Sequence, residues 1–258
     1  MDISRYEYYR DLILVLLAKE LKVRYKNTFL GYAWSVLHPL AFALVFFILF
    51  RMVVRIEVKN YALFLICGLF PWQWFQNSVN ASAFFFLGNS SLVKKVKFPR
   101  ELLVVAGVMN DLLHFMLSIP VIVIFMIFYG KTPSVAWLWE IAPLVIVQFL
   151  ITYGTSLLIA TLNLFFRDLE RLTMILTTLW FYVTPILFPV EMIPEGLQWM
   201  VYMNPMGTLI VAWRAVFLGD ALPVPLGGVV MLALLAAFIY FLGHRAYKAL
   251  EWRFAELV

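Results

Sequence analysis

Long stretches of this chain hold no Asp, Glu, Lys or Arg, apart from a single Lys131: residues 33–50, 61–93, 112–139, 141–166, 172–190, 196–213 and 221–244. A helix of about 20 apolar residues crosses the hydrocarbon of a bilayer, so these runs read as membrane-spanning helices. Composition agrees. Of 258 residues, 64% are hydrophobic and 14% charged, whereas a soluble domain is roughly half apolar and a quarter charged. The excess cannot be hidden in one soluble core, and lipid must be the solvent for much of the surface. The expected fold is an all-α membrane protein.

Seven runs are candidates, but residues 196–213 carry Pro205 beside Asn204, with Gly207 soon after. A short, broken segment of this kind reads as a re-entrant or interfacial pair of half-helices. With six spans and both termini inside, fifteen Lys and Arg fall on the inner side and five on the outer, as the positive-inside rule requires. A seventh span would carry Arg245, Lys248 and Arg253 outside and weaken the bias. The net charge of +5 thus follows from membrane topology and gives no reason to expect nucleic acid. The opening MDISRYEYYRDL does not read as a signal peptide, so insertion is expected to rely on the first span.

Residues 1–30 differ from the rest. Leu14, Leu17, Leu21 and Tyr25 share one helical spacing, while Lys19, Lys22 and Lys26 form a second stripe. This suits an amphipathic helix on the inner membrane surface, or a soluble helix packed on a partner. Residues 31–258 form one six-helix membrane domain.

A search for chemistry finds little. Cys67 is the only cysteine, which excludes an intrachain disulfide and reads as a packing residue. His38, His114 and His244 stand in no metal-ligand spacing; a structural hydrogen-bonding role is expected for His38. Gly130-Lys131-Thr132 lacks the earlier glycine of a phosphate-binding loop, with Phe125 in its place, so no ATP site is expected there. Asp111 lies three residues before His114 on one helical face; it reads either as a structurally paired carboxylate or as a proton-relay group. The 45 aromatic residues supply interfacial belts and core packing, and an aromatic-lined passage would suit carbohydrate. The loop SSLVKKVKFPRE carries Lys94, Lys95, Lys97 and Arg100 around Phe98 and Pro99, either as a docking surface or as a merely positive inner loop.

Several segments resemble the ABC-2 type permeases that export lipid-linked polysaccharides, a family including O-antigen, capsule and teichoic acid exporters. They are RYKNTFLGYAWSVLHPL (24–40), GLFPWQWFQNSV (68–79), SLVKKVKFPRELL (91–103), LNLFFRDLERL (162–172) and TPILFPVEMIP (184–194), then NPM at Asn204–Met206. They occur in family order and together cover nearly the whole chain.

The resemblance implies a homodimer in the cell inner membrane, with a separate cytoplasmic ABC ATPase dimer beneath it. ATP and Mg would sit on that partner, leaving this chain no enzyme and with no cofactor of its own. The N-terminal stretch would be the family's interface helix, with Lys22, Arg24 and Lys26 at the entrance for a polyprenyl-pyrophosphate head group among the membrane lipids. The ATPase would be contacted by Lys94, Lys95, Phe98, Pro99, Arg100 and Glu101, and secondly by Arg167, Asp168, Glu170 and Arg171. Trp34, Phe42, Trp180, Phe181 and Tyr182 are the expected channel lining, and Pro194, Trp199, Tyr202, Asn204 and Pro205 the outer gate. The rival of a different class is a membrane-bound glycosyltransferase or polymerase. It would need a catalytic cluster at a sugar-accessible face, and no such cluster stands out.

Overall fold

A computed structural model describes residues 3–25, 31–55, 57–220 and 224–257, and the described residues contain helices and turns but no strand. Helix α1 runs Ile3–Tyr25, and α2 runs Trp34–Phe47 and continues through a π-helical turn, Ile48–Val53. Next come α3 (Tyr61–Ser82), the short α4 (Ser90–Lys95), α5 (Glu101–Phe128), α6 (Trp137–Asn163) and α7 (Leu169–Val183). The chain ends with α8 (Trp199–Met203), α9 (Pro205–Leu218), α10 (Leu226–Leu250) and α11 (Phe254–Leu257). Gly130 and Gly219, at φ 69° and 72°, close α5 and α9 in the left-handed conformation that suits glycine after a helix.

By length and apolarity alone, four helical stretches can cross a membrane: Val36–Val53, Glu101–Phe128, Trp137–Asn163 and Leu226–Arg253. A fifth is the pair Glu195–Met203 and Pro205–Leu218, bent by 98°. This count is lower than six for two physical reasons. Helix α7 has only 15 residues, about 22 Å at 1.5 Å per residue. Helix α3 has 22 residues, but Gln73, Gln76, Asn77 and Asn80 dilute its apolar character. The charge-free run 61–93 is also not one helix, because the chain turns after Ser82 before α4 begins.

Two hydrophobic clusters organise the bundle. One is shared by the first and last helices, and its end of the bundle is here termed the proximal end. It joins Leu16 and Leu17 of α1 to Leu103 and Val104 of α5, Leu157 and Ala160 of α6, Tyr247 of α10 and Phe254 of α11. The apolar face of α1 is set by Leu12, Ile13, Leu16 and Leu17. Leu14, expected on that face, is 57% exposed, and the packed stripe is rotated from the one read in the sequence. The larger cluster fills the rest of the bundle around Trp72, Trp74, Phe75 and Trp213. Cys67 is fully buried within it.

Helices α6 and α10 make the closest approach. A Cβ added at Gly243 would stand 2.2 Å from the carbonyl oxygen of Gly154, and one at Gly154 would stand 2.7 Å from that of Ile239. Glycine is required at both positions by the backbone opposite. Gln148 of α6 crosses to two other elements: its Nε2 donates to the Pro71 carbonyl at 2.7 Å, and its Oε1 accepts from Trp213 Nε1 at 2.6 Å. A buried amide satisfied on both sides fixes three helices in one register.

Candidate functional site

Helices α2, α3 and α7 enclose a cavity of about 350 Å³. The face that α3 presents follows from its spacing. Gln73, Gln76, Asn77 and Asn80 lie at i, i+3, i+4 and i+7, one stripe of a helix, and all four line the cavity. Opposite them stand His38, Phe42 and Phe46 of α2, with Thr178, Phe181 and Tyr182 of α7. The rings form a continuous ladder: His38 and Phe42 centroids are 5.0 Å apart, Phe42 and Phe46 6.3 Å, and Phe46 and Phe181 5.8 Å. Phe181 in turn lies 5.8 Å from Trp72, whose Nε1 donates to Gln76 Oε1 at 3.0 Å. Asn80 Oδ1 accepts from the Thr177 hydroxyl at 2.9 Å. An amide stripe facing aromatic rings offers paired donors and acceptors beside apolar faces.

Of the residues expected to line a channel, Phe42, Phe181 and Tyr182 come together here. Trp180 sits behind the groove, edge-on to Phe75 at 5.1 Å and to Trp72 at 6.3 Å. Trp34 is half exposed at the start of α2, outside the cavity lining. The amide stripe escaped sequence reading, although its spacing in WQWFQNSVN was visible.

Behind the groove, Gln73 and Asn77 also border a chamber of about 20 Å³ holding Asp111, His114 and Ser118. Asp111 is 2% exposed and accepts from the Ser78 hydroxyl at 3.0 Å. Asp111 lies well inside α5 and turns into the bundle toward α3.

At the distal end, Asn204 marks the break between α8 and α9. Its Oδ1 accepts from Trp180 Nε1 at 2.8 Å and from the Met206 backbone N–H at 3.1 Å, capping α9. Its Nδ2 donates to Thr184 Oγ1 at 3.0 Å. Pro205 follows at the first helical position, where its missing N–H is harmless. Tyr202 lines a second cavity of about 510 Å³, while Pro194 and Trp199 are exposed. Arg214, read as one of the outer-loop charges, is only 6% exposed. Its guanidinium donates to the carbonyls of Phe64, Pro185 and Ile186 and lies over the Phe64 ring at 3.6 Å. A Cβ at Gly68 would stand 2.6 Å from its Nη2. Sequence reasoning missed this knot, because nothing local distinguishes a buried arginine from a loop charge.

At the proximal end, Lys94, Lys95 and Lys97 are exposed, whereas Phe98 is half-buried against the cluster shared by the termini. Pro99 is half-buried as well. Arg100 Nη1 donates to the Glu251 carbonyl at 2.8 Å, and a Glu101 carboxylate oxygen lies 3.5 Å from His244 Nδ1. The loop therefore presents lysines outward and keeps its aromatic residue partly inside. Arg167, Asp168 and Arg171 are exposed around the start of α7; the Glu170 backbone N–H donates to Asn163 Oδ1 at 3.2 Å. Lys22 is exposed on α1, and Lys19 bonds Asn89. Lys26 and the side chain of Arg24 lie outside the described residues.

Comparison with known proteins agrees with this architecture. Residues 11–218 match the family described as ABC-2 type transporter. The chain is 43% identical over 251 residues to an O-antigen export system permease protein RfbA of Klebsiella pneumoniae, covering 97% of this chain and 96% of the relative. A second Klebsiella pneumoniae protein of that name is 42% identical over the same length. One from Myxococcus xanthus is 35% identical over 218 residues, covering 83% of each. A family match over most of the length, relatives aligned nearly end to end and several helices fit to cross a bilayer all converge: the chain is a multi-pass membrane protein that belongs to the ABC-2 type transporter family.

Proposed function

We propose that the chain is the permease subunit of an O-antigen export system in the cell inner membrane, and that the α2–α3–α7 groove is one wall of its polymer path. The carrying observation is the near full-length similarity to proteins named as O-antigen export permeases, joined to a groove whose rings and amides suit sugars.

In this reading two copies meet with their grooves facing. Helix α7 touches its own chain through Thr173, Thr177 and Phe181, while Leu172, Ile175, Leu179 and Val183 are exposed. Such an apolar flank calls for lipid or a second protomer. Each copy spans the membrane six times, with α3 and α7 crossing where polar groups or short length are sheltered by the partner. The joint packing of α1, α10 and α11 supports a common, cytoplasmic side for both termini. There α1 serves as the interface helix, and Lys22, Arg24 and Lys26 attract the pyrophosphate of a lipid-linked polysaccharide.

A separate ABC ATPase dimer binds ATP and Mg. It docks on Lys94, Lys95 and the Phe98–Glu101 turn, and on Arg167, Asp168, Glu170 and Arg171. Its motion shifts the proximal ends of α5 and α7, and the polymer passes outward between the two grooves. The bent α8–α9 pair enters from the outer face and closes the exit, with Pro194, Trp199, Tyr202, Asn204 and Pro205 around it.

The test is deletion of the chain from a polymer-producing strain, with purification of the tagged protein in parallel. Lipid-linked polymer should accumulate inside the cell, and the protein should co-purify with a soluble ATPase whose hydrolysis is vanadate-sensitive. Normal surface polymer in the deletion strain refutes the assignment.

A further inference from the structure

The described residues lining the groove include no Asp, Glu, Lys or Arg; the titratable groups there are His38 and Tyr182. For a passage through a membrane protein this is a chemical statement about what passes. An ionised group drawn into a low-dielectric groove loses hydration and needs a counter-charge, and the described residues of these walls hold no Asp, Glu, Lys or Arg to supply a fixed one. The faces of aromatic rings are themselves electronegative and disfavour anions. Sugar hydroxyls meet no such penalty. Each can donate to an amide oxygen and accept from an amide N–H, and the four amides of α3 repeat that pairing along the groove.

One of those amides is oriented by its neighbour. An indole N–H can only donate, so its contact at 3.0 Å must be with Gln76 Oε1. That fixes the amide with its oxygen toward Trp72. Asn77 is the most open of the four.

We propose that the amide stripe of α3 is a hydroxyl-binding track that accepts an uncharged glycan and excludes polymers bearing a carboxylate or phosphodiester in each repeat. The inference rests on the reading of the groove as the polymer path in a homodimer, where the second wall repeats the same residues.

The test uses the full-length permease with its ATPase in cells, carrying Asn77→Cys. The native Cys67 is buried, so a membrane-impermeant maleimide reports on the new thiol. Labelling is compared in strains that make the polymer and strains blocked in its synthesis, and the polymer trapped by permease deletion is analysed for ionised groups. Polymer should slow labelling about tenfold, as for a site occupied about nine-tenths of the time, and its repeat should lack uronate and phosphate. Protection by a polymer with an ionised group in every repeat overturns the selectivity and leaves the path standing. Equal labelling in both strains overturns the groove as the path, and the proposal with it.

Discussion

Two alanine substitutions in α10 should have opposite effects on stability. At Gly243 an added methyl would lie 2.2 Å from the Gly154 carbonyl oxygen. Relief requires α6 and α10 to part by about 1 Å, a gap that forfeits a quarter to a half of each dispersion contact across it. With overpacking strain, Gly243→Ala should cost about 2–4 kcal/mol. At Gly227, near the start of the same helix, an added methyl meets nothing within 4 Å. Gly227→Ala gains helix propensity instead and should be neutral or stabilising by less than about 1 kcal/mol. Denaturant titration of both variants in one detergent, followed by circular dichroism, measures the difference. Gly154→Ala should behave like Gly243→Ala, since its methyl meets backbone of α10. Equal midpoints for Gly243→Ala and Gly227→Ala would refute the close approach of the two helices.

Arg214→Lys should lose about 1–3 kcal/mol, because an ammonium cannot reach all three carbonyls and a buried acceptor is left unmet; thermal unfolding in detergent tests it. Gly68→Ala, which displaces the same guanidinium, should add little once Arg214→Lys is present, and additive losses would argue against a shared cause. Asn204→Ala removes the α9 cap and the Trp180 and Thr184 partners together, at about 1–3 kcal/mol. Export should fall with it, while ATPase association remains intact in pull-down. At the proximal loop, Lys94→Glu with Lys95→Glu should weaken ATPase co-purification at unchanged unfolding midpoint. Phe98→Ala should also lower that midpoint by about 1–3 kcal/mol, since the ring is half-buried.

Sequence and structure agree most where length and charge decide the outcome. The uncharged runs located α2, α5, α6 and α10, and Asn204-Pro205 marked a break that the structure bends by 98°. Helix limits were less legible, because membrane helices continue past the bilayer into charged turns: α5 starts at Glu101 and α10 reaches beyond Arg245 and Lys248. Side-chain destinations were the least legible. Trp180 and Tyr182 are near neighbours in sequence, yet one packs behind the groove and the other lines it. Leu14 and Leu17 share a spacing, yet one is exposed and the other buried. Which way a helix is rotated depends on what packs against it, and α3 shows the reverse situation: its amides declared a face, but only the rings of α2 and α7 gave that face a meaning.

Helix α7 joins the proximal end of the bundle to the break in the outer segment. Its first turn holds Glu170 and Arg171 at the end where the ATPase is proposed to dock; its last turn holds Trp180, bonded to Asn204 at the break of the outer segment. A rod of 15 residues has no internal hinge to absorb motion. Tilted by about 10° about one end, its other end swings about 4 Å over its length of about 22 Å. If the ATPase docks at that end as proposed, α7 acts as a lever arm that takes force at Glu170 and Arg171 and delivers displacement at Asn204. Phe181 and Tyr182 on its flank line the groove, so the same stroke would move them against whatever occupies it.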